Sequence, residues 1–293
     1  MTENEPVDGD PPFLGRYVVR QQIHVGGMSR VYQAHDLERE TVVALKRPAR
    51  DDPGTLARFL DEAAFLSELT HPAIVRRLAH GGTSFQDAHI AMEWLDGETL
   101  SNRLLSGPLA LADAVSVARR AAEALSTAHR AQIVHRDLKP ANLILCQGSP
   151  GQTKLIDFGI ARREAAPGLS VHASFAGGTW AYMSPEQAMG SAELGARTDV
   201  YSLGCVLFET ITGYAAFPSD RAQAVVAKVW QAPPSLADFS EDVPKALVTL
   251  IAKALATDPM QRQRDGGAFA AELLALGKLP ERVAKPRARP STR

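Results

Sequence analysis

From residue 17 the apolar positions fall in short β-branched clusters, YVVRQQIHV, RVYQAHD and TVVALKRP, which predict successive antiparallel strands. The spacing then changes: TLARFLDEAAFLSEL places Leu56, Phe59, Leu60, Ala63 and Leu66 on one side of a helix. AIVRRLAHGG and AHIAMEWL return to strand character. Beyond DGETL the pattern is mainly helical. LADAVSVARRAAEALSTAHRA carries Leu111, Val115, Ala118, Ala122 and Leu125 at helical intervals, and RTDVYSLGCVLFETITG, RAQAVVAKVW, VPKALVTLIAKALA and GAFAAELLALG predict further helices. Residues 161–187, ARREAAPGLSVHASFAGGTWAYMSPEQ, carry little pattern and predict an extended functional loop. The prediction is an α+β chain without internal repeats: a small β-rich part with one helix, then a larger helical part.

Composition adds bounds rather than chemistry. The chain has 293 residues, 45% of them hydrophobic and 22% charged, with a net charge of −1. These are values of an ordinary globular protein and give no sign of a nucleic-acid or acidic-membrane partner. Cys146 and Cys205 are too few for a disulfide framework or a zinc site, and a reducing, cytoplasmic setting is expected. The start, MTENEPVDGDPPF, lacks the basic and apolar pattern of a signal peptide, and no stretch has the length of a membrane helix. Residues 1–14, acidic and proline-rich, and 278–293, basic and proline-rich, are expected to be flexible.

The strongest chemical signal is IVHRDLKPANLIL, followed by LIDFGIA. Asp137 is an acid that can accept a hydroxyl proton, Lys139 a base that can neutralise charge on a moving phosphoryl group, and Asn142 and Asp157 hard oxygen donors suited to Mg²⁺. Any one of them alone is a common cap or turn residue, whereas their order together points to phosphoryl transfer. Nearer the start, IHVGGMSRV (Ile23, His24, Val25, Gly26, Gly27, Met28, Ser29, Arg30, Val31) almost spells a phosphate-holding loop, with His24 where a first glycine belongs.

With GGMSRVY, HPAIV, MEWLDGETL, VHRDLKPAN and MSPEQAMG, the chain resembles the protein kinases, and most the bacterial serine/threonine kinases of eukaryotic type. The resemblance implies a two-lobed kinase fold, with an N-lobe over 15–96 and a C-lobe over 97–277, and ATP with Mg²⁺ (or Mn²⁺) as cofactors. It implies that Lys46 holds the α- and β-phosphates with Glu62 as partner. Val31, Ala44 and Ile144 would enclose the adenine, and Met92, Glu93, Trp94 and Leu95 would form the linker whose backbone bonds its edge. Thr179 joins Asp137 and Lys139 at the reaction centre, and with Lys139 it marks serine/threonine rather than tyrosine specificity. Asp199 would brace the catalytic loop, and Glu186 with Arg262 would tie the long loop down. Arg136 before Asp137 marks kinases switched by loop phosphorylation, with Ser170 and Ser174 as acceptors. The partners implied are protein substrates and a second kinase domain for autophosphorylation. A membrane enters only if the native chain continues past residue 293. His135 reads as a packed structural histidine and His71 as a turn residue.

Two residues depart from the pattern. His24 replaces one loop glycine, where a positive φ would cost on the order of 1 kcal/mol. Arg77 falls where an apolar spine residue belongs, so it should snorkel or pair, or else the register shifts by one and Leu78 points inward. The alternatives to an active kinase are a nucleotide-binding pseudokinase, supported by these two residues alone, and a small-molecule phosphotransferase of related fold, against which the SPE segment argues.

Overall fold

Alternation along β1 (Tyr17–Val25), β2 (Ser29–Asp36) and β3 (Thr41–Pro48) sends Tyr17, Ala34, Val43 and Leu45 into one cluster, where Ala91 joins them. In the computed structural model, which describes residues 11–158, 162–163, 179–191, 193–231, 233–239 and 243–280, two further strands follow. These are β4 (Arg77–Gly81) and β5 (His89–Glu93), and the antiparallel sheet has the order β1-β2-β3-β5-β4. Val31 pairs with Lys46, Gln33 with Ala44, and Ala44 with Met92, so Val31, Ala44, Lys46 and Met92 share the face opposite the cluster.

Between β3 and β4 runs α1 (Pro53–Glu68). Its start is set by Asp52, whose carboxylate accepts from the Thr55 amide at 2.8 Å, and by proline in the first turn. Phe59, Ala63 and Leu66 are buried, Leu56 and Leu60 half-buried at the edge of the stripe. Glu62 lies on the same side and is only 2% exposed. A carboxylate so buried demands a cation.

Arg77 stays out of the apolar cluster. A bulge between Arg77 and Ala79 adds one residue to β4 and shifts the alternation, so Leu78 packs on the Tyr17 cluster. Arg77 remains half-buried with Nη1 2.6 Å from His80 Nδ1. The arginine N–H can only donate, so His80 Nδ1 accepts; burial, and then the Arg77 charge, hold the His80 pKa below its ordinary value.

The chain divides into two compact units, the first running through Asp96 and taking in Phe158, the second holding the remainder from Gly97. In the second, β6 (Gly97–Thr99) precedes α2 (Leu100–Leu104) and α3 (Leu111–Arg130). Then come β7 (Ile133–Val134), β8 (Leu143–Cys146), β9 (Thr153–Leu155) and β10 (Arg162–Arg163), pairing as β6-β8-β9 and β10-β7. The later helices are α4 (Pro185–Ala188), α5 (Ala196–Thr212), α6 (Arg221–Trp230), α7 (Lys245–Ala254) and α8 (Gly266–Ala275). The helix α5 is buried nearly all round, with Val200, Leu203, Val206, Leu207, Phe208 and Ile211 inside. A polar residue on such a helix must find its partners within the protein. Gly266 lets α8 start against α3: a Cβ there would stand 2.6 Å from the Ala122 carbonyl oxygen. Among the described residues no helix is long and apolar enough to cross a membrane.

Candidate active site

In the first unit the glycine segment forms the tip of the β1–β2 hairpin. Gly26 N donates to Ser29 O at 2.9 Å and closes the turn. His24 belongs to β1, opposite Val31, beside a register shift after Gln22, and it is absent from the residues with positive φ. The strain expected for His24 therefore does not arise, because the strand continues to Val25 before the chain turns. Its imidazole lies close to Gly26, where an added Cβ would be 3.2 Å from Nε2. Ile23, His24, Val25, Gly27 and Arg30 are exposed, and Met28, Ser29 and Val31 half-buried.

Behind this hairpin, Lys46 Nζ stands 2.5 and 2.7 Å from the two carboxylate oxygens of Glu62. The ammonium meets the buried carboxylate that α1 carries, across sixteen positions of sequence. Met92 is buried in β5, and Glu93 at its end accepts from Arg76 N at 2.8 Å. Trp94 and Leu95 follow the strand, half-buried. His71 shapes a turn, its Nδ1 accepting from Ala73 N at 3.1 Å.

In the second unit Asp137, Lys139, Asn142 and Asp157 come together around the segment after β7. Lys139 Nζ donates to Asp137 Oδ2 at 2.6 Å. Asp137 Oδ1 is buried and has no hydrogen-bond partner among the described residues. Burial raises the Asp137 pKa above its ordinary value; Lys139 opposes this, and Asp157 adds to it. Asn142 Nδ2 donates to the Asp137 carbonyl at 2.8 Å, which leaves Oδ1 as the oxygen its amide can offer to a cation. The Asn142 carbonyl in turn accepts from Ile156 N at 3.1 Å, tying the segment before Asp157 to this loop. A buried carboxylate whose pKa a second carboxylate raises, beside an amide oxygen, forms the hard-oxygen set that a divalent cation fits. Ile144 sits in β8, half-buried.

Asp199, fully buried on α5, accepts from His135 N and Arg136 N at 2.8 Å each and from His129 Nε2 at 2.9 Å. Burial alone would raise its pKa; the His129 bond and the other donors prevail and hold it below the ordinary value. Gly266 N donates to His129 Nδ1 at 3.1 Å, so the ring's proton is on Nε2 and points at Asp199. His135 is fully buried, and burial lowers its pKa. Arg136 has φ 68°, a left-handed backbone for a non-glycine residue, held by these bonds.

The Arg262 guanidinium binds Glu186 in bidentate fashion, at 2.8 and 2.9 Å, and also donates to the carbonyls of Ala256, Arg197 and Thr257. Burial would raise the Glu186 pKa; Arg262 outweighs it and holds the carboxyl below its ordinary value. Thr179 opens a short 3-10 turn, Thr179–Ala181. Ser170 and Ser174 lie outside the described residues.

Several engaged residues were given no role by the sequence. Tyr182 Oη donates to Glu209 at 2.6 Å. Lys228 of α6, 2% exposed, donates to the carbonyls of Ala181 (2.9 Å) and Met183 (2.5 Å), with its Nζ 4.7 Å from the Phe217 ring centroid. Burial pushes its pKa down to about 8. Gln187 reaches back to the loop before Asp137. In sequence Lys228 is one more charge on an amphipathic helix; only the two carbonyls it meets, more than forty positions earlier, give it a role.

The sequence profile of the family described as protein kinase domain matches residues 17–273, and the chain belongs to that family. Membership implies the use of ATP and a divalent metal. The chain is 38% identical to serine/threonine-protein kinase PknB of Mycolicibacterium smegmatis over 277 residues, covering 91% of this chain and 44% of that protein. A probable PknB of Lactococcus lactis is 35% identical, with 86% and 40% covered. Serine/threonine-protein kinase pkn3 of Myxococcus xanthus is 36% identical, with 92% and 51% covered. The chain thus spans about half the length of these relatives, or less.

Proposed function

We propose that this chain transfers the γ-phosphoryl group of ATP to serine and threonine hydroxyls of proteins. The observation that carries the reading is Asp137: one oxygen is committed to Lys139, while the other is buried, has no hydrogen-bond partner among the described residues and so suits a donor from outside the chain. Asp137 accepts the acceptor hydroxyl's proton at Oδ1 as the new O–P bond forms and the bond to the ADP oxygen breaks. Lys139 neutralises charge on the transferred group, and Thr179 orients the pair. Lys46, aligned by Glu62, holds the α- and β-phosphates, and the main chain from Ile23 to Val31 covers them. Val31, Ala44, Met92 and Ile144 take the adenine, with the main chain of Glu93 and Leu95 at its edge. Asn142 and Asp157 would hold the divalent cation, Mg²⁺ or alternatively Mn²⁺, which supplies neutralisation of phosphate charge.

In this reading residues 15–96 form the nucleotide lobe and 97–277 the substrate lobe, working in the cytoplasm, where ATP is at hand. Loop phosphorylation at Ser170 or Ser174, paired with Arg136 and carried out between two copies, is the proposed switch. The pseudokinase alternative loses its supports, since His24 is unstrained and Arg77 is paired with His80. The test is incubation with labelled ATP, a generic protein acceptor and Mg²⁺, Mn²⁺ or EDTA, followed by phosphoamino-acid analysis. Metal-dependent phosphoserine or phosphothreonine is expected. Nucleotide binding with no transfer, or phosphotyrosine alone, would overturn the reading.

A further inference from the structure

Gln187 has two tasks, and only one of them is explained by the helix it begins. It is the third residue of α4, where its Oε1 accepts from Ser184 N at 3.1 Å while Ser184 Oγ accepts from Gln187 N at 3.4 Å. Such a reciprocal cap is served equally well by Glu or Gln. The other end of the side chain does something an ionised carboxylate cannot: Nε2 donates to the carbonyl oxygen of Arg136 at 2.9 Å. Gln187 is 1% exposed, Ser184 0% and Arg136 5%, so water does not compete for these bonds.

The recipient peptide matters. Arg136 and Asp137 share it, and its N–H, that of Asp137, donates to His135 Nδ1 at 3.2 Å. The preceding amides of His135 and Arg136 are taken by Asp199. Asp199 therefore fixes where the segment enters, while Gln187 and His135 fix the plane of the last peptide before the Asp137 side chain. Rotation of that plane is open to it, because Arg136 already has an unfavourable left-handed φ of 68° that the surroundings must hold.

We propose that Gln187 is a positioning residue, which through the Arg136–Asp137 peptide sets the direction in which Asp137 presents Oδ1. The assignment rests on Asp137 being the group that takes the hydroxyl proton. It gives the segment ending in α4 a direct mechanical line to the reacting carboxylate, so a displacement of residues 184–187 is felt at Asp137. It also explains why an amide occupies a capping position that a carboxylate would fill.

The selective variant is Gln187→Glu, which keeps the cap and turns a carboxylate oxygen towards the Arg136 carbonyl. At pH 8.5 its kcat should fall about tenfold or more while the KM for ATP stays within about twofold. As pH is lowered towards 6, the buried carboxyl of Gln187→Glu takes up a proton and becomes a donor again, so its kcat relative to wild type should rise. Ser184→Ala, which removes half the cap and leaves the Arg136 bond, should stay within about twofold of wild type in kcat. Amide hydrogen exchange adds a readout independent of catalysis: protection at Arg136 and Asp137 should drop in Gln187→Glu and in Gln187→Met, and persist in Ser184→Ala. A wild-type kcat in folded Gln187→Glu, a deficit that does not change with pH, or unchanged exchange at Asp137 would each overturn the proposal. Should the wild type transfer no phosphate, the functional reading fails, and the exchange measurement still decides what Gln187 holds.

Discussion

The two units hold their candidate residues by different kinds of bond. In the first unit a side chain meets a side chain: Lys46 on β3 and Glu62 on α1 form a buried ion pair. In the second, side chains grip main chain: Asp199, His135 and Gln187 take the amides of residues 135–137 and the carbonyl of Arg136. A side-chain pair can part while sheet and helix each survive, since neither element's ladder depends on it. A main-chain clamp cannot be released without moving the residue it aims. The lysine–glutamate pair thus joins two elements through side chains alone, whereas Asp137 is held through its own main chain.

The severest way to break this contrast is Asp199→Ala. It strands three buried donors at once (His129 Nε2–H and the amides of His135 and Arg136), each costing about 1–3 kcal/mol. A stability loss of about 5 kcal/mol is expected in urea melts, with kcat collapsing alongside. If stability fell by less than about 1 kcal/mol, the clamp would be dispensable. Next comes Lys46→Met, which leaves the Glu62 carboxylate buried without its lysine. It should cost about 3 kcal/mol, and adding Glu62→Leu should return most of that without returning activity. Recovery of stability in the double variant separates the pair's structural cost from the part proposed for it in holding phosphate. No recovery would mean that Glu62 has other obligations as large as Lys46.

The smallest effect is expected at Lys228. Lys228→Met loses two bonds to carbonyls but also removes the cost of burying an amine, for a net change of about 1 kcal/mol at pH 7. The pH dependence is the sharper observable. With a folded pKa of about 8 against an ordinary 10.5, the unfolded chain holds the extra proton throughout that window. The residue's contribution to stability therefore rises from pH 8 to 10.5 and is flat below. A neutral amine retains two N–H groups, enough for both carbonyls, so the bonds survive the deprotonation. Melts of wild type and Lys228→Met across this range should diverge with rising pH; parallel curves would place the amine in a more polar setting than its neighbours indicate.

Much of the fold could be read from periodicity, because the longer amphipathic strands and helices bury a face that their own residues announce; the two- and three-residue strands β6, β7, β9 and β10 are too short to show a period. The β-branched clusters became β1 to β3, and the stripe on TLARFLDEAAFLSEL became α1. Glu62 was named too, through the family resemblance that pairs it with Lys46. Arg77 was not: a bulge changes the face of every residue beyond it, and nothing local in RRLAHG marks one. His24 was misjudged for a related reason, since the strand runs past it and the turn comes later. Within the candidate site, local motifs named residues by sequence spacing. They gave no role to His129, Gln187 (though it lies within MSPEQAMG) or Lys228, which act on main-chain or carboxylate atoms tens of positions away. A histidine near a helix end, a glutamine in a cap and a lysine on an amphipathic helix are each unremarkable until the fold closes around them.

The central claim is that Asp137, presented by a fixed main chain, takes the proton of the acceptor hydroxyl. Single-turnover transfer from labelled ATP to protein, measured for wild type and Asp137→Asn beside nucleotide affinity by titration, tests it most directly. The side chain of Asn has nearly the same shape but no basic oxygen, so transfer should fall by a factor on the order of 10² to 10⁴, with nucleotide affinity within about threefold of wild type and the melting curve unshifted or slightly raised. Transfer by Asp137→Asn at the wild-type rate would contradict the account, whatever the structure around it.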